Sequence, residues 1–379
     1  MTILDLIPQH IRAIAAYVPG KHVRHAEQES GVEMIKMASN ENPFGPSPLA
    51  LKAMQEAAAE ANFYPDMDAS ELRVALAARH NVAPEQVFLA DGSTPLLHLL
   101  AAMFLRPGLN CISSQRSFII YPIAVAAAGG EYVTIATRDD GYDLDGIAAA
   151  INDKTRLVIL ANPNNPTGTM FDADATEAFL QRVPEHVLVV MDEAYSDFAE
   201  YFANHRRIVW SRSFDYVRAG RVNVVVLRTF SKAYGLAGIR LGYACGHPEL
   251  LGHLARVRSS FSISVLAEAA GVAAIKDADH VRRTLENNAT GAEWMLERFA
   301  ELGLRAVPTS ANFVYFETEE NADVVSARMQ AEGVIVRSLV PWGIPNGIRV
   351  TVGTPGQNDR FLQALKKAVQ SSVVVEPKI

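Results

Sequence analysis

The chain has 379 residues, more than one ordinary domain of roughly 100–200 residues holds, so two domains are expected. Its 35 basic and 42 acidic residues give a net charge of −7 with no run of like charge, which argues against a nucleic-acid-binding face. Hydrophobic residues make up 49% of the chain, enough for a large core.

Two cysteines, Cys111 and Cys245, stand outside any CxxC or Cys/His cluster, so neither a disulfide framework nor a zinc site is expected. The opening MTILDLIPQH lacks the basic-then-apolar pattern of a secretory leader. The strongest apolar stretch, 96–105, falls short of the ~20 residues a membrane helix needs. A soluble cytoplasmic enzyme or binding protein is the expected class.

In chain order, residues 1–30 read as an N-terminal arm punctuated by Pro19 and Gly20, and 31–48 as a connector to the smaller domain. Helices are predicted at 49–62 and, after the break at Tyr64-Pro65, at 70–80. From Val87 to Gly246 short apolar runs alternate with helix-period segments. The runs are VFLA, NCIS, EYVTIA, RLVILA, VLVVMD, VNVVVL and LGYACG, and the helices fall at 96–105, 121–128, 144–151 and 174–183. Such alternation predicts an α/β fold with a mostly parallel, seven-stranded sheet flanked by helices. Ligands bind beyond the carboxyl ends of strands in sheets of this kind. The large domain is placed at 49–250. Residues 251–379 are expected to form a smaller α+β domain with a long helix at 277–302, the strands ANFVYFE, VIVRS and IRVTVG, and helices at 323–331 and 358–368.

Four strand exits carry unusual residues. The segment ADGSTP (90–95) joins a strand to a helix, with Thr94 suited to the N-cap and Pro95 to the first helical position. It is either a plain capped helix or a cup whose free amides hold a phosphate. NPNNPTG (162–168) is denser in turn residues than a turn requires. Asp192, in DEAY (192–195), ends a buried strand, which is costly unless a cation meets it. Lys232 follows VNVVVL within SKAYGLAGIR (231–240), where a desolvated, electropositive surround makes a lysine amine nucleophilic.

One cofactor accounts for all four. Pyridoxal phosphate needs an amine for its aldehyde, a carboxylate for its ring nitrogen, donors for its phenolic oxygen and a phosphate cup. Lys232, Asp192, the pair Tyr195 and Asn165, and the set Ser93, Thr94, Ser231 and Arg240 offer these in turn.

With SNENPFGP (39–46) upstream and IRVTVGT (348–354) downstream, these motifs resemble the fold-type-I pyridoxal-phosphate-dependent aminotransferases. The further segments AAYVPGK (15–21), FYPD (63–66) and GVIVR (333–337) are most similar to the histidinol-phosphate aminotransferases. The resemblance implies that Lys232 bonds the aldehyde and moves the substrate proton, that Asp192 keeps the ring nitrogen protonated, and that Phe118 stacks on the cofactor. It implies a homodimer in which Tyr64 reaches the phosphate of the neighbouring subunit's cofactor. Arg349 is implied to hold an amino-acid carboxylate, and Tyr17, Arg337 and Arg349 together the phosphate of histidinol phosphate, with 2-oxoglutarate as amino acceptor.

Three departures are visible: Pro95 where an acid is usual, Phe118 where tyrosine is usual, and SLVPWGIPNG at 338–347. Within that last stretch Trp342 either shapes a pocket for an aromatic side chain or covers the small domain. An aromatic amino-acid aminotransferase and a threonine-phosphate-type decarboxylase are the competing chemistries. A nicotinamide dehydrogenase is excluded by the lack of GxGxxG after the first strand.

Overall fold

A computed structural model describes residues 1–15 and 23–370. Tyr17 and the apolar tail at 373–375 lie outside the described residues.

The seven apolar runs form one sheet. Its strands are β1 (Val87–Ala90), β2 (Asn110–Ser114), β3 (Glu131–Ile135), β4 (Thr155–Ala161), β5 (Leu188–Asp192), β6 (Val224–Thr229) and β7 (Gly242–Gly246). Their spatial order is β1-β7-β6-β5-β4-β2-β3, and β7 alone runs against its neighbours. Successive side chains of a strand face opposite ways, and the central strands are apolar on both faces. Val158, Leu160, Val189, Met191, Val224 and Val226 enter one core, while Leu157, Ile159, Leu188, Val190, Val225 and Leu227 enter the other. This explains why the strands read as unbroken apolar runs.

The smaller unit has a four-stranded antiparallel sheet in the order Arg337–Ser338, Gly347–Thr351, Phe313–Glu317, Ala306–Val307. Helices Ala278–Glu301, Ala322–Ala331 and Pro355–Gln370 accompany it around a core that includes Phe299, Phe316 and Phe361. The connector joins this unit: strand Ile35–Lys36 pairs in parallel with Val334–Ile335, and the Asn40 amide donates to Thr351 Oγ1 at 2.9 Å.

Two helices depart from the boundary expected at 250. Pro248–Val257 buries Leu251 and Leu254 in one core of the large sheet, and Val265–Ala274 buries Ala267 and Ala270 in the other. Residues 251–274 therefore pack with the large domain, because their apolar faces meet its two cores. Helices Ser196–Arg206 and Ser213–Arg218 were also missed. They are short and dense in polar and aromatic residues, so they carry little periodic signal.

Candidate active site

Strands β4, β5 and β6 end side by side, and the segments that follow them line a cavity of about 270 Å³. Ser93, Thr94, Phe118, Asn165, Asp192, Tyr195, Ser231, Lys232, Arg240, Arg337 and Arg349 all line it. Of the remaining sequence candidates, Tyr64 lies elsewhere, 83% exposed and packed on the Phe261 ring with centroids 4.7 Å apart. Tyr17 lies outside the described residues.

Lys232 is half-buried and donates from Nζ to the Ser39 carbonyl at 3.1 Å. Burial above all, then the nearby Arg349 guanidinium, lowers its pKa to about 7 against the opposing pull of Glu41. Near neutral pH a large fraction of the amine is thus unprotonated and nucleophilic.

Asp192 closes β5 and is buried. Its Oδ2 accepts from the Tyr121 hydroxyl at 2.7 Å, and its Oδ1 is buried with no hydrogen-bond partner among the described residues. Burial pushes its pKa up to about 6, opposed by the Tyr121 bond. A carboxylate left half-satisfied at a cavity wall asks for a cationic donor from within the cavity.

The phosphate-cup segment differs in one detail from its expected capping. The helix Ser93–Phe104 starts two residues earlier than Thr94 as N-cap requires: Gly92 is the cap, and Pro95 is the third helical residue. Gly92 has φ 113°, a value that strains any other residue, and so the chain turns sharply into the helix there. The amides of Ser93 and Thr94 fall in the first turn, where no intrahelical acceptor exists. A Cβ at Gly92 would stand 2.5 Å from Arg240 Nη2, so the guanidinium occupies the space the glycine leaves. Arg240 Nη1 also reaches Ser231 Oγ at 3.4 Å and the Ala237 carbonyl at 3.0 Å. Two helix-start amides, hydroxyls and a guanidinium thereby converge on one anion position.

Asn165 and Tyr195 lie side by side, with Asn165 Nδ2 donating to the Tyr195 hydroxyl at 3.3 Å. Arg349 is buried, held by the Ala38 carbonyl at 2.7 Å and by Asn165 Oδ1. Arg337 faces it directly across the antiparallel strand pair.

Sequence reasoning missed several residues here. Asn40 Nδ2 donates to the Tyr195 hydroxyl at 2.8 Å, and Tyr121 orients Asp192. Glu193, beside Asp192, is fully buried and paired with Arg228 of β6 at 2.7 Å, with Ser211 Oγ donating to it at 2.9 Å. A usable signal existed for this last pair: a second acid after a buried strand needs a buried cation, and Arg228 interrupts an otherwise apolar strand.

The pattern of aminotransferase class I and II matches residues 32–365. A histidinol-phosphate aminotransferase of Moorella thermoacetica is 43% identical over 360 residues, covering 94% of this chain and 91% of that protein. Histidinol-phosphate aminotransferase 2 of Pseudomonas aeruginosa is also 43% identical, covering 97% and 98%. Among solved structures, the histidinol-phosphate aminotransferase of Sinorhizobium meliloti in complex with pyridoxal-5'-phosphate superposes with a TM-score of 0.87 at 29% identity. That match covers 96% of this chain and 97% of the other. An aspartate aminotransferase of Thermus thermophilus shares the fold with a TM-score of 0.80 at 23% identity. The fold, the strand-end cavity and these likenesses together make the chain a member of the class I and II aminotransferases.

Proposed function

We propose that this enzyme uses pyridoxal 5'-phosphate to transfer the amino group of histidinol phosphate to 2-oxoglutarate, giving imidazole acetol phosphate and glutamate. The relatives' activity supports the substrate, and the observation that carries it is the pairing of Arg337 with Arg349. Like charges directly opposite on neighbouring strands repel. Here both line the cavity, where a phosphate dianion offsets that cost and accepts from both guanidinium groups. A substrate with one carboxylate requires only one of them.

The residues fit the cofactor. The unpartnered Oδ1 of Asp192 suits a protonated ring nitrogen, the Gly92–Arg240 cradle suits the phosphate, and Asn165 with Tyr195 suits the phenolic oxygen. When bound, pyridoxal phosphate supplies an aldehyde for amine exchange and a ring that accepts the electrons left on the substrate carbon. Lys232 Nζ would hold the aldehyde carbon at rest, with loss of water, and once displaced by the substrate amine would take the proton from the substrate carbon and return it to the same framework. Asp192 would hold the positive charge on the ring nitrogen, and Phe118 would lie against the face of the ring. Arg337 and Arg349 orient the amine for this transfer, then the 2-oxo acid for its reversal.

The assembly is read as a homodimer in the cytoplasm, with Tyr64 contributing to the neighbouring active site. Its 83% exposure outside the cavity supports that reading.

The test is a screen of purified, cofactor-loaded protein, following loss of the visible absorbance of the lysine-bound cofactor with each amine. Histidinol phosphate is expected to discharge it fastest. Faster discharge by phenylalanine or tyrosine selects the aromatic aminotransferase, and carbon dioxide release without amino transfer selects the decarboxylase.

A second expectation concerns the cup. Arg240→Ala is expected to lose most of its cofactor on dialysis while keeping kcat within a few-fold at saturating pyridoxal phosphate. Full retention with a large loss of kcat contradicts the phosphate role.

A further inference from the structure

We propose that Glu41 is a specificity-determining residue that recognises the imidazole of the amine substrate, and that its ion pair with Lys36 lets the same wall admit the second, doubly negative substrate. The inference rests on the histidinol-phosphate reading and deepens it.

Residues 38–42 run along the cavity, and the other four of them are all engaged with the site. The Ala38 carbonyl holds Arg349 at 2.7 Å, and the Ser39 carbonyl holds Lys232 at 3.1 Å. Asn40 is left-handed at φ 58°, a conformation that asparagine tolerates better than most residues. It donates from Nδ2 to the Tyr195 hydroxyl at 2.8 Å, and its carbonyl accepts from Asn312 Nδ2 at 3.0 Å. Asn42 Nδ2 donates to the Ala233 carbonyl, next to Lys232, at 2.9 Å and to Thr284 Oγ1 at 3.0 Å. Glu41, between these two buried asparagines, lines the cavity. Its Oε1 accepts from Lys36 Nζ at 2.8 Å, and both side chains are partly exposed. A pair so placed contributes little to the fold, so stability does not explain an acid at this position.

Histidinol phosphate has three parts to be held. Its amine exchanges with Lys232 and its phosphate falls to the two arginines, which leaves the imidazole. Among the described residues two acidic side chains line the cavity, Asp192 and Glu41, and Asp192 belongs with the ring nitrogen of the cofactor. An imidazole carries one N–H when neutral and two when protonated, and its ordinary pKa is about 6.5. The Glu41 carboxylate accepts from either form, a charge-assisted bond that the ring of phenylalanine cannot make. A site that hydrogen-bonds a substrate N–H discriminates strongly against an analogue lacking it. 2-Oxoglutarate poses the opposite demand, since it brings a second carboxylate and no imidazole. Lys36 offsets the charge of Glu41, so the wall does not repel that anion and still offers a carboxylate oxygen to a donor.

The experiment follows the two half-reactions of the cofactor-loaded enzyme separately. Glu41→Gln, near-isosteric, is expected to raise the KM for histidinol phosphate by about tenfold, the difference between a charged and a neutral acceptor. The same variant is expected to lower the KM for 2-oxoglutarate by about threefold, because Lys36 then stands uncompensated. Lys36→Met is expected to raise the KM for 2-oxoglutarate by about tenfold, more than that for histidinol phosphate. A readout apart from turnover comes from cofactor capture by stripped protein. Glu41 opposes the lowering of the Lys232 pKa, so capture by Glu41→Gln is expected to level off at a lower pH than in wild type. A KM for histidinol phosphate that does not rise in Glu41→Gln, equal changes on both substrates, or a capture plateau that does not move overturns the role of Glu41 and leaves the substrate reading intact. A wild-type enzyme that prefers phenylalanine to histidinol phosphate overturns the substrate reading, and this inference with it. Should Glu41→Gln lose its bound cofactor, Glu41→Asp carries the comparison: it keeps the charge but withdraws the oxygens by one methylene, and the KM for histidinol phosphate is again expected to rise.

Discussion

Lys232→Ala is expected to lose all multiple turnover and the visible absorbance of the covalently held cofactor, while circular dichroism and Tm of the cofactor-free protein stay close to wild type. Nothing in the cavity substitutes for the amine. Among the described residues Lys232 Nζ makes a single hydrogen bond, to the Ser39 carbonyl, so its removal costs the fold little. An added small primary amine should restore slow proton transfer, since the reaction then lacks only a base at that position. Sustained turnover by the variant without added amine contradicts the assignment.

The pH behaviour of wild type follows from the same surroundings. An ordinary lysine deprotonates near pH 10.4, whereas burial and Arg349 bring Lys232 down to about 7. Capture of pyridoxal phosphate by cofactor-stripped enzyme should therefore rise about tenfold per pH unit in acid and level off near pH 7. A rate that keeps climbing to pH 10 shows an unperturbed amine.

Asp192→Asn is the second large effect, and its two consequences point in opposite directions. Catalysis should fall by ~10²–10³ in kcat, the usual loss on removing an electrostatic stabiliser from a preorganised site. The cofactor-free fold should gain stability. Folding raises the pKa of Asp192 to about 6, so the folded state binds the proton more tightly than the unfolded chain. Ionisation then disfavours the fold above that pH. At pH 8 the Asn variant is expected to melt above wild type, and the difference should close as pH falls from 6 to 4, where wild type is protonated too. A variant that melts lower at pH 8 shows that the carboxylate supports the cofactor-free fold. This is the trade expected where a charge is kept for chemistry rather than for packing.

Why Asp192 tolerates burial at all was beyond the sequence. Tyr121 satisfies one of its oxygens from 71 positions away. Asn40 reaches the Tyr195 hydroxyl across 155 positions, and Trp342 reaches Ser117 across 225. None of these pairs leaves a local trace, because each exists only through the order in which the strands assemble. The large-domain boundary expected at 250 falls short for a similar reason: the core that receives the helices Pro248–Val257 and Val265–Ala274 is built from strands far away in the chain.

Local chemistry alone singled out the candidate residues at the four strand exits. Glycine, asparagine and proline at a strand exit, an acid or a lysine at the end of an apolar run, and amides at a helix start are short-range patterns. Their physical cost or capacity can be read from neighbours in the chain. Tertiary structure decided how those residues are held: the guanidinium filling the space at Gly92, the arginine pair at 337 and 349, and the ring of Trp342 against one of them. Strand register and domain packing set these contacts, and both depend on side chains far apart in the chain meeting in one core.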